Sequence, residues 1–152
     1  MGHVTRALGE IGLSVKRLQM RHHVALNHAL SPLGLSIVQW DALRHIGEQP
    51  DASLHDLAQL TFQSDQAFGT LAGRMIERGL IERLAGPGRA VRHRLTAKGA
   101  ALRQDGAAIV NEVLAESFGT LTPEQLATFD DLLTRLFAST NVVGPHAKPH
   151  RR

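Results

Sequence analysis

Cysteine is absent from the 152-residue chain. That excludes a disulfide framework, a thiol nucleophile, thiolate-bound zinc and cysteine-based redox switching. Tyrosine is absent too, and Trp40 is the only tryptophan, which argues against an aromatic sugar groove or an RNA-stacking sheet. No apolar run approaches the roughly 18 residues of a membrane helix. The opening stretch Met1-Gly2-His3-Val4-Thr5-Arg6 has no apolar core and is followed by Glu10, so it does not read as a secretory signal. A cytoplasmic protein without a membrane partner is expected. Nothing resembles a Gly-rich phosphate loop, a nucleophile elbow or a carboxylate pair with a cleft. The chain is therefore expected not to be an enzyme and to need no cofactor.

What is present suits one compact unit with a real core: 43% of residues are hydrophobic. Lys plus Arg exceed Asp plus Glu by 17 to 14, and a net charge of +3 alone announces no partner. Resolved along the chain, the balance divides. From Arg74 to Lys98 seven cations meet Glu77 and Glu82, a local net of +5, whereas from Gly99 to Asp131 six acids meet only Arg103, a local net of −5. Fourteen of the 17 cations are arginine, whose planar fork suits phosphates and guanine edges.

Apolar spacing predicts six helices and one hairpin. Val4, Leu8, Ile11, Val15 and Leu18 form a heptad-like stripe, extended by Leu26 and Leu30 until Ser31-Pro32 ends the helix. Such a seam needs another long helix, from this chain or a partner. Ser36 and Gln39 make a capping box for a second helix with Ile37, Trp40, Leu43 and Ile46 inside and Gly47 near its stop. Gln49-Pro50-Asp51 turns the chain. Ser53 caps a short third helix with Leu54, Leu57 and Ala58 inward, broken at Thr61-Phe62-Gln63. Ser64 caps a fourth, Asp65 favours its dipole, Phe68, Leu71, Ala72 and Met75 form its apolar face, and Gly79 stops it. Leu80–Leu84 and Arg89–Leu95 alternate as strands around Gly86-Pro87-Gly88, an Arg-rich hairpin carrying Arg83, Arg89, Arg92 and Arg94. Thr96 caps a fifth helix with Leu102, Ile109, Val113 and Leu114 as its apolar positions. Thr122-Pro123-Glu124-Gln125 opens a sixth with a seam of Leu126, Phe129, Leu133 and Leu136, widened by Leu132 and Phe137. Val142 to Arg152 reads as a disordered basic tail.

Two short helices joined by a tight turn and followed by a basic hairpin describe a winged helix-turn-helix, with Ser64 to Arg78 as the helix for the major groove. The fold class is mainly α, with a two-stranded β-hairpin wing. Candidate DNA-binding residues are Ser64, Gln66, Thr70 and Arg74 on the helix and Arg89, Arg92 and Arg94 on the wing. Gln66 suits adenine, Arg74 suits guanine or phosphate, and inserted arginine suits a narrow minor groove. Asp65 serves the helix dipole rather than a cytosine. Gly69 and Gly73 each weaken that helix by roughly 0.5–1 kcal/mol against alanine. Either backbone approaches DNA closely there, or one glycine makes a small-residue packing contact.

The chain resembles the MarR family of transcriptional regulators. The resemblance is carried by Leu35-Ser36-Ile37-Val38-Gln39-Trp40-Asp41-Ala42-Leu43, by Leu54-His55-Asp56-Leu57-Ala58, by Arg74-Met75-Ile76-Glu77-Arg78-Gly79-Leu80-Ile81-Glu82-Arg83, and by Arg89 to Leu95-Thr96-Ala97-Lys98-Gly99. It runs from about Val4 to Ala138. It implies a homodimer, with a helical dimerisation region made by residues 1–33 and 99–140, a DNA-binding lobe at 34–98 and a tail at 141–152. It also implies a repressor that binds a pseudo-palindromic operator in double-stranded DNA and is released by a small-molecule effector. Alternatives are a backbone-binding architectural protein and a metal-sensing regulator of the same fold. In the family the wing usually reads Asp-x-Arg; here Arg89 matches the Arg and Pro87 stands in place of the Asp, so the tip is held differently. The nine histidines include no pair at ligand spacing on one helix face, and no metal site is expected. His22 continues the first stripe and lines either a pocket or the dimer seam; Trp40 is core or pocket lining. These two are the candidate ligand-binding residues.

Overall fold

The computed structural model describes residues 6–84, 88 and 90–139. Val4, the wing-tip residues Gly86, Pro87 and Arg89, and the tail at 141–152 lie outside the described residues. The order is α1 (Leu8–Leu30), a 3-10 turn (Ser31–Leu33), α2 (Ile37–Glu48), α3 (Leu54–Leu60), α4 (Asp65–Glu77), β1 (Ile81–Leu84), β2 (Arg92–Leu95), α5 (Ala97–Phe118) and α6 (Pro123–Ser139). The fold class is the expected one.

Hydroxyl caps set the starts of α2 to α6. Ser36 and Ser53 form full capping boxes with Gln39 and Asp56. Ser64 accepts from the Ala67 N–H at 3.0 Å and Thr96 from the Gly99 N–H at 3.0 Å. Thr122 and Gln125 exchange the same pair of bonds at the start of α6. Each such cap satisfies backbone donors that a helix start leaves orphaned.

Leu30, Leu43, Ile46, Leu57, Phe68, Met75, Leu80 and Ile81 are the fully buried side chains at the centre. Ile37, Leu54 and Leu71 are only partly buried around them. On α5 the apolar positions Leu102, Ile109, Val113 and Leu114 pack half-buried against the core, and the buried positions are Gly99, Gly106 and Val110. Close approach decides that face. A Cβ at Gly99 would collide with the Leu80 carbonyl, and one at Gly106 with the Trp40 ring.

The strands are shorter than the alternation suggests. Leu80 belongs to the end of α4: its N–H bonds the Met75 carbonyl at 2.9 Å while the Gly79 N–H bonds that of Ile76. This is a Schellman closure with Gly79 at φ +72. Val91 is used elsewhere, its carbonyl accepting from the Leu54 N–H at the start of α3. The antiparallel register that remains pairs Ile81 with Leu95, Glu82 with Arg94, Arg83 with His93 and Leu84 with Arg92. Among the described residues, no helix is long and apolar enough to cross a membrane.

Candidate nucleic-acid interface

The third and fourth helices pack as a pair, and Phe68, Ala72 and Met75 bury one side of α4. Helical periodicity then turns Gln66, Thr70 and Glu77 outward, with Gly73 and Arg74 beside them. Gln66, Thr70 and Arg74 are exposed. The Thr70 hydroxyl donates to the Gln66 carbonyl at 3.1 Å, leaving its methyl and lone pairs outward. Ser64 is spent chiefly as the helix cap. Asp65 does more than favour the dipole: its carboxylate meets Nδ1 of His55 on α3 at 2.9 Å, tying the two helices together where α4 begins.

Neither glycine of α4 is demanded by packing. A Cβ at Gly73 meets nothing within 4 Å, and one at Gly69 meets only the tip of Leu54 at 3.9 Å, an ordinary contact. The small-residue packing account of these glycines therefore fails within this chain.

The basic residues are not equivalent. Arg74 and Arg83 are exposed and make no ion pair among the described residues. Arg94 donates from Nε to Glu82 at 2.8 Å across the hairpin, and Arg92 lies 3.6 Å from Asp51. Arg78, inside the basic run, turns away: Nη1 donates to the Gly34 carbonyl at 2.7 Å. Lys98 donates to the Arg78 carbonyl at 3.0 Å. The interface is thus less charged than the local count of +5 suggests. Arg89, the expected wing-tip contact, lies outside the described residues.

Between Arg92 and Arg94, His93 faces the core and is 3% exposed, with Nδ1 unpartnered. Burial first, and then the charge of Arg83, holds its pKa below the usual histidine range. The alternation of strand β2 carries this signal, with His93 on the opposite face from the two arginines. At the turn between α3 and α4, Phe62 adopts φ +56 and is 73% exposed. Its N–H bonds Gln59 and the Gln63 N–H bonds Ala58, so Phe62 occupies the Schellman position that glycine usually takes. The sequence holds no glycine there to mark it.

His22 and Trp40 reach different stretches of α5. His22 shares a 2.7 Å hydrogen bond with the Ser117 hydroxyl and meets the Phe118 ring edge-on at 5.2 Å. Trp40 donates from Nε1 to the Arg103 carbonyl at 3.0 Å. At 1.5 Å per residue these anchors are about 20 Å apart along the helix, too far to share one small ligand. Among the described residues no group of three or more His, Asp or Glu side chains is placed to hold a metal ion.

A family profile described as "MarR family" matches residues 33–90. The chain is 33% identical over 110 residues to an HTH-type transcriptional repressor of Mycobacterium tuberculosis, covering 71% of this chain and 79% of that protein. A MarR family protein of M. tuberculosis, solved in complex with p-aminosalicylic acid, superposes with a TM-score of 0.71 at 29% identity, over 87% of this chain and 99% of that one. An E. coli MarR variant solved with operator DNA gives a TM-score of 0.76 at 25% identity, over 87% and 99%.

Proposed function

Since the chain belongs to the MarR family of transcriptional regulators, we propose that it is a homodimeric, sequence-specific repressor of double-stranded DNA, released by a small-molecule effector. The observation that carries this reading is the outer face of α4: Gln66, Thr70 and Arg74 stand exposed on a helix whose other side is locked into the core. Side chains that read base edges must be both free and rigidly mounted. Gly69 and Gly73, unneeded by internal packing, let the helix backbone lie close to the groove floor. Arg83, Arg89, Arg92 and Arg94 supply phosphate and minor-groove contacts, and Arg92 and Arg94 exchange Asp51 and Glu82 for phosphate as they bind.

Dimerisation assigns residues 1–33 and 99–140 to a shared helical region, with the lobe at 34–98. Leu8, Ile11, Val15 and Leu18 on α1 and Leu126, Leu132 and Phe137 on α6 are exposed in the single chain and become buried between two copies. A two-fold pair presents two α4 helices about one DNA turn apart. The relative bound to p-aminosalicylic acid supports an aromatic acid as effector class. His22 is the better placed of the two ring residues to meet one, because it keeps a second ring nitrogen beyond its bond to Ser117, whereas the single Trp40 N–H is spent on Arg103.

The test is competition. A labelled duplex selected by the protein from a random-sequence library should resist unlabelled random DNA by about 1,000-fold or more at physiological salt. Equal competition by random DNA would leave only the architectural reading. Arg89→Ala should weaken binding on every sequence and reduce the salt slope by about one.

A further inference from the structure

The end of α4 is held by groups that do not face its outer side. Arg78 caps the helix, and both of its ends are engaged. Its guanidinium reaches across to the connection between α1 and α2, where Nη1 donates to the Gly34 carbonyl at 2.7 Å. Gly34 sits at φ +66, and a Cβ there would lie 3.1 Å from Nη2, so the guanidinium packs directly over that residue. The Arg78 carbonyl receives Lys98 from the first turn of α5 at 3.0 Å. One step on, the Thr96 hydroxyl donates to the Gly79 carbonyl at 2.6 Å and the Thr96 N–H to that of Leu80 at 3.0 Å. Arg78 thus links the end of α4 through its side chain to the connection between α1 and α2, and through its backbone carbonyl to the first turn of α5.

We propose that Arg78 is a positioning residue: its side chain is a strut that fixes the end of α4 to Gly34, where the lobe meets the connection from the dimerisation helix α1, and so sets the separation of the two α4 helices in the dimer. This rests on the homodimer reading. The physical case is leverage. The strut is attached at the far end of α4 from the Ser64 cap, so loosening it lets the helix swing about its other contacts. Its charge, bound to a backbone carbonyl, is not spent on phosphate. The functional quantity it controls is tolerance of half-site spacing rather than affinity for one half-site. Inserting or deleting one base pair turns one half-site by about 34° relative to the other, which a rigid pair of helices rejects.

The experiment uses full-length protein and a fluorescein-labelled palindromic duplex selected by the wild-type protein, with versions whose central spacer is one base pair longer or shorter. Wild type should lose about tenfold or more in affinity on either altered spacer. Arg78→Ala should bind all three within about threefold of one another, with an unchanged salt slope. Arg78→Lys, which keeps a donor and the charge, should restore part of the selectivity. Arg74→Ala should show the opposite pattern, a slope smaller by about one with spacing selectivity intact. An Arg78→Ala protein with a wild-type melting temperature that discriminates spacers as sharply as wild type overturns the strut alone, as does a reduced salt slope with selectivity kept. If Arg78→Ala does not fold, Arg78→Lys with spacing selectivity short of wild type and an unchanged slope supports the strut, and Arg78→Lys with full wild-type selectivity overturns it. Wild type that binds random DNA as well as the selected duplex overturns the regulator reading and the strut together.

Discussion

In the lobe, Leu43, Leu57, Phe68 and Met75 are at most 1% exposed, whereas Leu8, Val15, Leu132 and Phe137 on α1 and α6 are 51% to 84% exposed. Both regions carry helices with periodic apolar faces. They differ in where the covering surface comes from. The lobe closes on itself because short helices cross within a few turns and cap one another's ends. The long helices project seams that the same chain does not cover. Apolar periodicity therefore reports that a face is buried, and says nothing about whether the burying surface lies in the same molecule.

The largest test of this contrast is one truncation made in both regions. Phe68→Ala should cost the lobe about 3–5 kcal/mol, a large share of the stability of a domain this size. Phe137→Ala should change monomer stability by no more than about 0.5 kcal/mol, yet weaken self-association in sedimentation experiments. Equal melting losses at a concentration where the chain is monomeric would dissolve the distinction.

Acid separates the two regions next. Because burial holds His93 below the ordinary value, the unfolded chain takes up a proton there that the folded lobe refuses. Stability from this site is complete above about pH 6.5 and is lost as pH falls below it toward the folded-state value. Melting curves between pH 7.5 and 5 should show a smaller acid loss for His93→Gln than for wild type. Identical slopes would place the acid sensitivity outside the lobe. The smallest effect is expected at the hairpin surface. A double-mutant cycle on Glu82 and Arg94, both at least half exposed, should return a coupling below about 1 kcal/mol. A value of several kcal/mol would mean that polar pairs, not the core, hold the wing.

Most of the lobe was legible because its signals are local. Ser36 with Gln39 and Ser53 with Asp56 mark helix starts through bonds spanning three residues, which any reader of the chain can find. Gly79 and Gly99 are legible as special, although the Leu80 carbonyl that demands Gly99 appears only in three dimensions. The interface was legible in its helix and poorly so in its charges. Arg78 and Arg94 look alike in sequence, yet one reaches a backbone carbonyl and the other a carboxylate. Charge patterning records how many cations are near, while direction is set by helix phase and by partners far along the chain. The break at Phe62 was legible but its left-handed backbone was not, since such a turn position is announced by glycine and here carries an aromatic ring.

The start of α1 has no side-chain cap: Ala7 precedes it, and Gly9 and Gly12 fall in its first two turns. Every other α-helix opens on a Ser or Thr hydroxyl. Five helices therefore carry a start signal in their own local sequence, and one does not. The front of α1 is thus the stretch that leans most on whatever surface comes to cover Leu8 and Ile11. Amide protons along that first stretch should exchange with solvent quickly in dilute protein and slowly in concentrated protein, which makes them a clock for assembly rather than for folding.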